Sequence, residues 1–543
     1  MTKHRLKALL LVICMLVAMM ATACSKDDGT GYLFRYGLLS DPKILDPQLA
    51  EDEASLTVIE NMFCGLFRTI DNGKLTQGIA SDYSVSADGL VYVFTLSPNF
   101  YWESNDTDFK EPVTAYDFVF TFQRVFNKNT HSPYAEDFFC IKNSEAIYTG
   151  QLGMENLGVR ANDAYTLEIQ LEYTNANFLY LLSTSAAMPC QQAFFESTKG
   201  KYGLETNASI SNGAFYLKSW QYDPYGSNNY LILRKNSSYN AVYPVAPSSL
   251  NFFIEKNESD VQDGFMAGST DLIISDGSNR KLFKSGYTVY SYETKSAGLV
   301  FNTQSDIFSN IEYRQALSFV IDRSAYNDAL SSNARSAYAI VPSGVTMLNK
   351  SYRELVSEND KSTYKALLGQ EMWTNALART GKTYLGTINI LVPISFEHPE
   401  WLQYITQQWQ NQLDFYCGIE PVSDSEYMRR VKSGEYDIAF YPLSYARNSP
   451  KAVLNHFSTG HSDNIIAYSN TQVDSLLVQS ERAQNLSDCV KLYGEAEKLI
   501  IDDYVYVPLF YEKEYLIFPE TVQGLEFDPF TGQIDFSLAK NFD

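Results

Sequence analysis

The chain runs to 543 residues and carries 64 acidic against 42 basic side chains, a net charge of −22. That excess excludes a nucleic-acid partner and electrostatic binding to an anionic membrane surface, since both would repel it. The length leaves room for several lobes, each with a core of its own.

The first two dozen residues have the layout of a secretory leader. Lys3, Arg5 and Lys7 form a positive start, Leu9 to Met20 an uncharged apolar run, and Ala21-Thr22-Ala23 a small-residue cut site. The apolar run is short for a membrane span, and no later stretch approaches one. Cys24 follows the cut site directly and precedes the polar stretch Ser25 to Thr30. This resembles a bacterial lipobox, with Ala21 where leucine is commoner. The expectation is a lipoprotein signal over residues 1–23 and a lipidated tether over 24–31, acylated on Cys24. Two or three acyl chains there would anchor the protein firmly. Of the seven cysteines, Cys64, Cys140, Cys190, Cys417 and Cys489 remain in the body, an odd number at wide spacing with no CxxC. One or two disulfides and buried core thiols both stay open.

Asp88-Gly89 reads as a turn leading into a strand over Leu90 to Leu96. Pro112-Val113-Thr114 starts a helix with Phe118, Val119, Phe122 and Phe126 on one side. Leu167 to Leu171 alternates as a strand, Asn212-Gly213 brings two backbones close, and Tyr230 to Leu233 is a short strand. Leu402, Ile405, Trp409 and Leu413 mark one face of a helix. Leu492, Ala496, Leu499 and Ile500 mark another, starting near Ser487. Strands and helices alternate throughout, so the fold class is α/β. The 39 tyrosines and 33 phenylalanines suit both a large core and ligand grooves.

Catalytic signatures are missing. The mature chain has His131, His398, His456 and His461. The pair His456 and His461 has no metalloprotease spacing and lacks the HExxH glutamate. There is no GxSxG, P-loop or GxGxxG on a strand–helix turn. No enzyme, metal or cofactor is expected, with a secreted hydrolase only a minor alternative.

Several blocks in order carry a resemblance. They are the stretch from Asp41 with Leu45-Asp46-Pro47, Gly65-Leu66, Gly73, Ala80, Asp88-Gly89 and Trp102; "PVTAYDFVFTFQRVF"; "SPYA" at Ser132 to Ala135; Asn156 to Val159 with "YTLEIQL"; "SNGAFYLKSW"; "FNTQSDIFSNIEYRQALSFVIDR" with Arg314 to Leu317; "SGEYDIA"; and "LYGEAEKLIIDDYVYVPLFY". The chain thereby resembles, from about Asp41 to Tyr511, the oligopeptide- and dipeptide-binding proteins of bacterial ABC importers. The resemblance implies a two-lobed periplasmic-binding-protein-like fold of class II type with an additional third domain. Lobe I would comprise residues 25–66, 193–297 and 506–543, the extra domain 67–192, and lobe II 298–505. The crossings would lie near Phe301 and at Val507 to Tyr511, with a hinge closing the lobes on the ligand.

By the same resemblance, the ligand is a short peptide held by strand-like main-chain bonds, and the partners are the permease subunits of an ABC importer. The protein would act as a monomer on the extracytoplasmic face of the cell membrane. The aspartate that pairs with a peptide's ammonium in relatives aligns with Ala446, and the usual Gly-Trp with Pro442-Leu443. Glu51, Asp52 or Glu53 are candidate replacements. A different peptide register and a non-peptide solute, such as an oligosaccharide or metal chelate, are the alternatives, as is a ligand sensor on the same fold. Candidate ligand contacts are Tyr134, Asn212, Gly213, Phe215, Tyr441, Ser444, Tyr445, Arg447 and Glu51, each weighed against plain wall packing.

Overall fold

A computed structural model describes residues 31–70, 73–105, 109–226, 228–240, 242–330, 333–347, 350–358, 364–443, 448–528 and 532–542. Cys24, its tether and the leader lie outside these residues. Three principal sheets organise the chain. The first runs in the order Leu33–Leu38, Ser249–Ile254, Tyr230–Lys235, Phe215–Gln221, with its first pair parallel and the rest antiparallel. The second is antiparallel, in the order Ala80–Val85, Val91–Leu96, Thr166–Gln170, Val159–Asp163. Helix Ala115–Phe126 packs on it. Thr114 N–H donates to the Asp117 carboxylate at 2.7 Å, the reciprocal half of a capping box.

The third sheet has seven strands. Its order is Ile273–Ser275, Tyr506–Pro519, Tyr287–Phe301, Ile438–Leu443, Ile388–Pro393, Cys417–Val422, with Ala334–Ser336 added beside Tyr506–Pro519. Ile388–Pro393 pairs in parallel with both of its neighbours, and helix Pro399–Leu413 makes one of the crossovers. Ile388–Pro393 and Ile438–Leu443 are apolar and buried at nearly every position because both of their faces are covered. Leu299, Phe440, Ile390 and Val507 enter one core, while Val300, Tyr441, Leu391 and Tyr506 enter the core on the other side.

Two long strands join the lobes. Tyr287–Phe301 and Tyr506–Pro519 pair antiparallel along nearly their whole length. Their outer ends share the core of the first lobe through Tyr292 and Leu516. Their inner ends are central to the second lobe. The register slips once between Glu293 and Lys295, leaving one residue unpaired against Lys513 and Glu512, and again between Ala297 and Gly298. At Gly298 a Cβ would stand 2.5 Å from the Val507 carbonyl oxygen, so only glycine permits this approach. Phe301, near which a crossing was expected, pairs with Ile438 and shares a core with Leu299 and Val507.

The helix expected to begin near Ser487 spans Leu486–Asp502. Its cap is Asn485, whose side chain accepts from Asp488 N–H at 2.9 Å. The body cysteines are free thiols, and Cys64, Cys140, Cys190 and Cys489 are buried. Burial pushes each of these four up to about 12, so they remain protonated core groups. Among the described residues no helix is long and apolar enough to cross a membrane.

Candidate ligand cleft

A cavity enclosing about 1810 Å³ of atom-free space, solvent at its mouth included, lies between the lobes. Four parts of the chain build it. Helix Glu53–Met62 supplies Leu56 and Glu60, and the hairpin after it supplies Thr69, Ile70 and Gly73. The domain around the second sheet supplies Tyr134, Asp137, Asn175, Asn177 and Tyr180. The second lobe supplies Thr346, Met347, Asn448 to Lys451, Asn455, Glu481 and Tyr493. The C-terminal segment closes the ring with Glu526, Phe527, Asp528, Gln533 and Asp535.

The helix holds its place through its sequence. Asp52 accepts Ser55 N–H at 3.0 Å and caps it. Val58, Ile59 and Met62 are fully buried and fix its rotation, which leaves Glu60 half-buried at the cavity wall. Burial pushes the Glu60 carboxyl up to about 8, helped by the charges of Asp535 and Asp528 and opposed by Arg68. The Arg68 guanidinium lies 3.9 Å from Asp535, donates to Tyr239 Oη at 3.0 Å and sits over the Tyr243 ring at 4.8 Å. Six lining side chains are carboxylates: Glu60, Asp137, Glu481, Glu526, Asp528 and Asp535. Among the described lining residues the one full cation is Lys451, and it pairs with Glu481.

The walls touch across the mouth. Thr174 Oγ1 donates to the Arg482 carbonyl at 2.9 Å, and Ala176 N–H to the Ala483 carbonyl at 3.1 Å. The Arg482 guanidinium covers the Tyr173 ring at 4.8 Å. Asn448 Nδ2 bonds Thr346 Oγ1 at 2.9 Å and reaches Asp528 at 3.5 Å.

The residues named from sequence fall in different places. Tyr134 lines the cavity, its hydroxyl donating to the Ala50 carbonyl. Asn212 is buried, and its amide brackets Cys64, accepting from the N–H at 3.1 Å and donating to the carbonyl at 2.9 Å. Gly213 lies so close to Phe63 that a Cβ would stand 2.7 Å from its backbone. Phe215 is fully buried in the first lobe. Tyr441 turns into the second lobe's core, with its hydroxyl 3.1 Å from His456 Nδ1. These four have no side-chain surface in the cavity as the structure places them, because their strands and turns aim inward. Glu51 is exposed and outside the cavity lining. Glu53, one candidate replacement for the acid missing at Ala446, opens onto a different groove. Ser444, Tyr445, Ala446 and Arg447 lie outside the described residues.

The sequence reading missed Glu60, Asp528 and Asp535. A single acid among the buried residues of "SLTVIENM" was the available signal for Glu60. The other two follow the last recognised block. Motif residues instead hold the frame. Arg124 meets Asp46 and donates to Gln48 Oε1 at 2.6 Å, pinning the helix of the second sheet to the N-terminal block. Arg314 donates to the carbonyls of Phe308 and Asp503 at 2.5 and 2.7 Å.

Comparison with known proteins agrees with this architecture. The model of the bacterial extracellular solute-binding proteins, family 5, matches residues 74–464. The oligopeptide-binding protein OppA of Bacillus subtilis is 25% identical over 534 residues, covering 95% of this chain and 93% of its own. The periplasmic murein peptide-binding protein MppA of Escherichia coli is 27% identical over 482 residues, covering 87% and 86%. The substrate-binding domain of an oligopeptide ABC transporter from Bacillus anthracis superposes with a TM-score of 0.71 at 23% identity, over 94% of this chain and 99% of that one. Proteins of this group are binding proteins and not enzymes, and the chain carries their two-lobed fold. The chain belongs to the bacterial extracellular solute-binding proteins, family 5.

Proposed function

We propose that this protein captures a short peptide between its lobes and delivers it to the permease of an ABC importer. It does so as a monomer on the extracytoplasmic face of the membrane, tethered by lipid on Cys24. Residues 25–66, 193–297 and 506–543 form lobe I on this reading, 67–192 the extra domain and 298–505 lobe II. The observation that carries it is the cavity itself. It is large and ringed by all three units, and two continuous strands that run elsewhere join the lobes and let them rock. Its lining of amides, carboxylates and tyrosines offers acceptors and donors to a peptide backbone. The peptide-binding names of relatives that span nearly the whole chain support the same ligand class.

Native purification followed by mass spectrometry of released ligand tests this. A mixture of short peptides is the expected result, and a sugar or metal chelate as the sole ligand would replace the peptide. The anchor has its own test. Labelled palmitate should enter the wild-type chain and not Cys24→Ser, and label persisting in the variant removes the anchor.

A further inference from the structure

We propose that the wall between the domain around the second sheet and the second lobe is a clasp that acid tightens, through His461 of the lobe and Glu136 of the domain. This rests on the reading above that the lobes close on a ligand, and it names what regulates that closure. Two sets of contacts cross the wall. In one, Thr174 Oγ1 donates to the Arg482 carbonyl at 2.9 Å, Ala176 N–H donates to the Ala483 carbonyl at 3.1 Å, and the Arg482 guanidinium covers the Tyr173 ring at 4.8 Å. In the other, His461 Nε2 stands 3.8 Å from a carboxylate oxygen of Glu136. Both sets border the cavity. Asn175 and Glu481, sequence neighbours of the first set, line it, as do Asp137, next to Glu136, and Asn455, in contact with the His461 ring. Moving the lobe away from the domain breaks both sets.

The two sets differ in what they respond to. The first is made of main-chain carbonyls, an amide, a hydroxyl and a permanently charged guanidinium, so pH leaves it alone. The second contains an imidazole, a group that gains its charge between about pH 8 and 5. Among the described residues three groups face the ring. Glu136 comes from the domain. Asp463 comes from the ring's own loop, with a carboxylate oxygen 3.6 Å from Nδ1 and its N–H donating to that nitrogen at 3.2 Å. The neutral Asn455 amide lies 3.1 Å from Nε2. On protonation Nδ1 turns from accepting that N–H to facing the Asp463 carboxylate. Asp463 belongs to the same lobe and stays with the ring in either position of the wall. Glu136 meets the ring only when the wall is closed, so Glu136 links protonation to closure. A carboxylate beside the ring favours its charged form. The closed wall therefore binds a proton more tightly than the open one, and lowering pH from 8 to 5.5 favours closure. The Glu136 side chain is two-thirds exposed, so the gain is only a few-fold and salt screens it.

Hydrogen exchange read by mass spectrometry on the purified, ligand-free protein tests this without any peptide. The amide of Ala176 reports on the wall directly, because its bond crosses it. After correction for the intrinsic rate, and relative to the core strand Val91–Leu96, its protection should be about 3-fold higher at pH 5.5 than at pH 8. His461→Gln and Glu136→Gln should each remove that difference, and the double variant should do no more than either alone. Salt at about 1 M should shrink it in the wild type. Equal protection at both pH values, or a difference that persists in His461→Gln, overturns the acid clasp and leaves capture between the lobes standing. Protection at Ala176 as high as in Val91–Leu96 at both pH values means that the wall opens only on unfolding, and that result overturns closure itself.

Discussion

The cleft between the lobes and the groove along the hinge strands are both rimmed by carboxylates, yet they manage that charge differently. In the hinge groove Glu53, Glu258, Glu512 and Glu514 surround Lys295, whose ammonium lies 3.9 Å from Glu512 and 3.6 Å from Glu514. The acids hold the Lys295 ammonium above its usual range, against the pull of burial. In the cleft Glu60 has no such lysine, and the groups nearest to it in charge include two more acids. A groove that carries its own counter-charge is finished as it stands. In the cleft the described cation of the lining, Lys451, pairs with Glu481 and not with Glu60. Concavity and acidity alone do not separate the two, whereas the placement of the cation does.

Four experiments break or sharpen that contrast. The largest effect should come from Arg124→Met, which strands the buried Asp46 carboxylate and loosens the domain that walls the cleft but not the hinge groove. A loss of about 3–5 kcal/mol is expected, read by urea unfolding. Ligand affinity should fall while the pH behaviour of the hinge groove stays put. If stability barely changes, Asp46 and Arg124 do not brace the cleft.

The second concerns pH. The folded Glu60 carboxyl titrates near 8, well above its ordinary range. Its stabilisation is therefore full below the ordinary carboxylate range and is lost as pH rises through about 8. The ligand-free protein should lose on the order of 2 kcal/mol between pH 5 and 9, after allowance for solvent at the wall. Thermal melts of wild type and Glu60→Gln compare directly, and identical slopes would sink the assignment of that titration to Glu60.

Arg482→Ala comes third. It removes the guanidinium stacked over Tyr173 at the mouth, at a cost of roughly 0.5–1 kcal/mol. Ligand should leave a few-fold faster, with little change in the on-rate. The smallest effect belongs to Lys295→Met. Its side chain is more than half exposed, and such pairs contribute about 0–1 kcal/mol. An affinity change as large as that of Glu60→Gln would show that the two grooves act as one.

Much of the frame was legible in the sequence because periodicity and caps are local signals. The strand Val91–Leu96 and the helices Ala115–Phe126 and Pro399–Leu413 lie where their patterns put them. Asn212-Gly213 was readable as a close approach, but its partner, Phe63, is remote in sequence and was not. Tyr441 shows a different limit. "IAFYPL" is apolar on both sides of its strand, so no alternation said which face meets the cleft and which the core. Arg124 and Asp46 were visible as motif members, yet nothing local announced that they meet across 78 positions. The acids of the cleft wall were the least legible. A chain with 64 acidic residues offers no sequence test for which three converge.

The residue left unpaired between Glu293 and Lys295 sets the phase between the two halves of the molecule. Beyond it, Leu299 and Val300 feed opposite faces of one sheet. Side chains alternate with a period of two, so deleting one residue there would swap inside for outside along everything downstream. Single-residue insertions and deletions should thus be far less tolerated at that point than in the surface loops around it. The slip that joins two halves of the long strand pair is also the place where the chain can least afford to lose count.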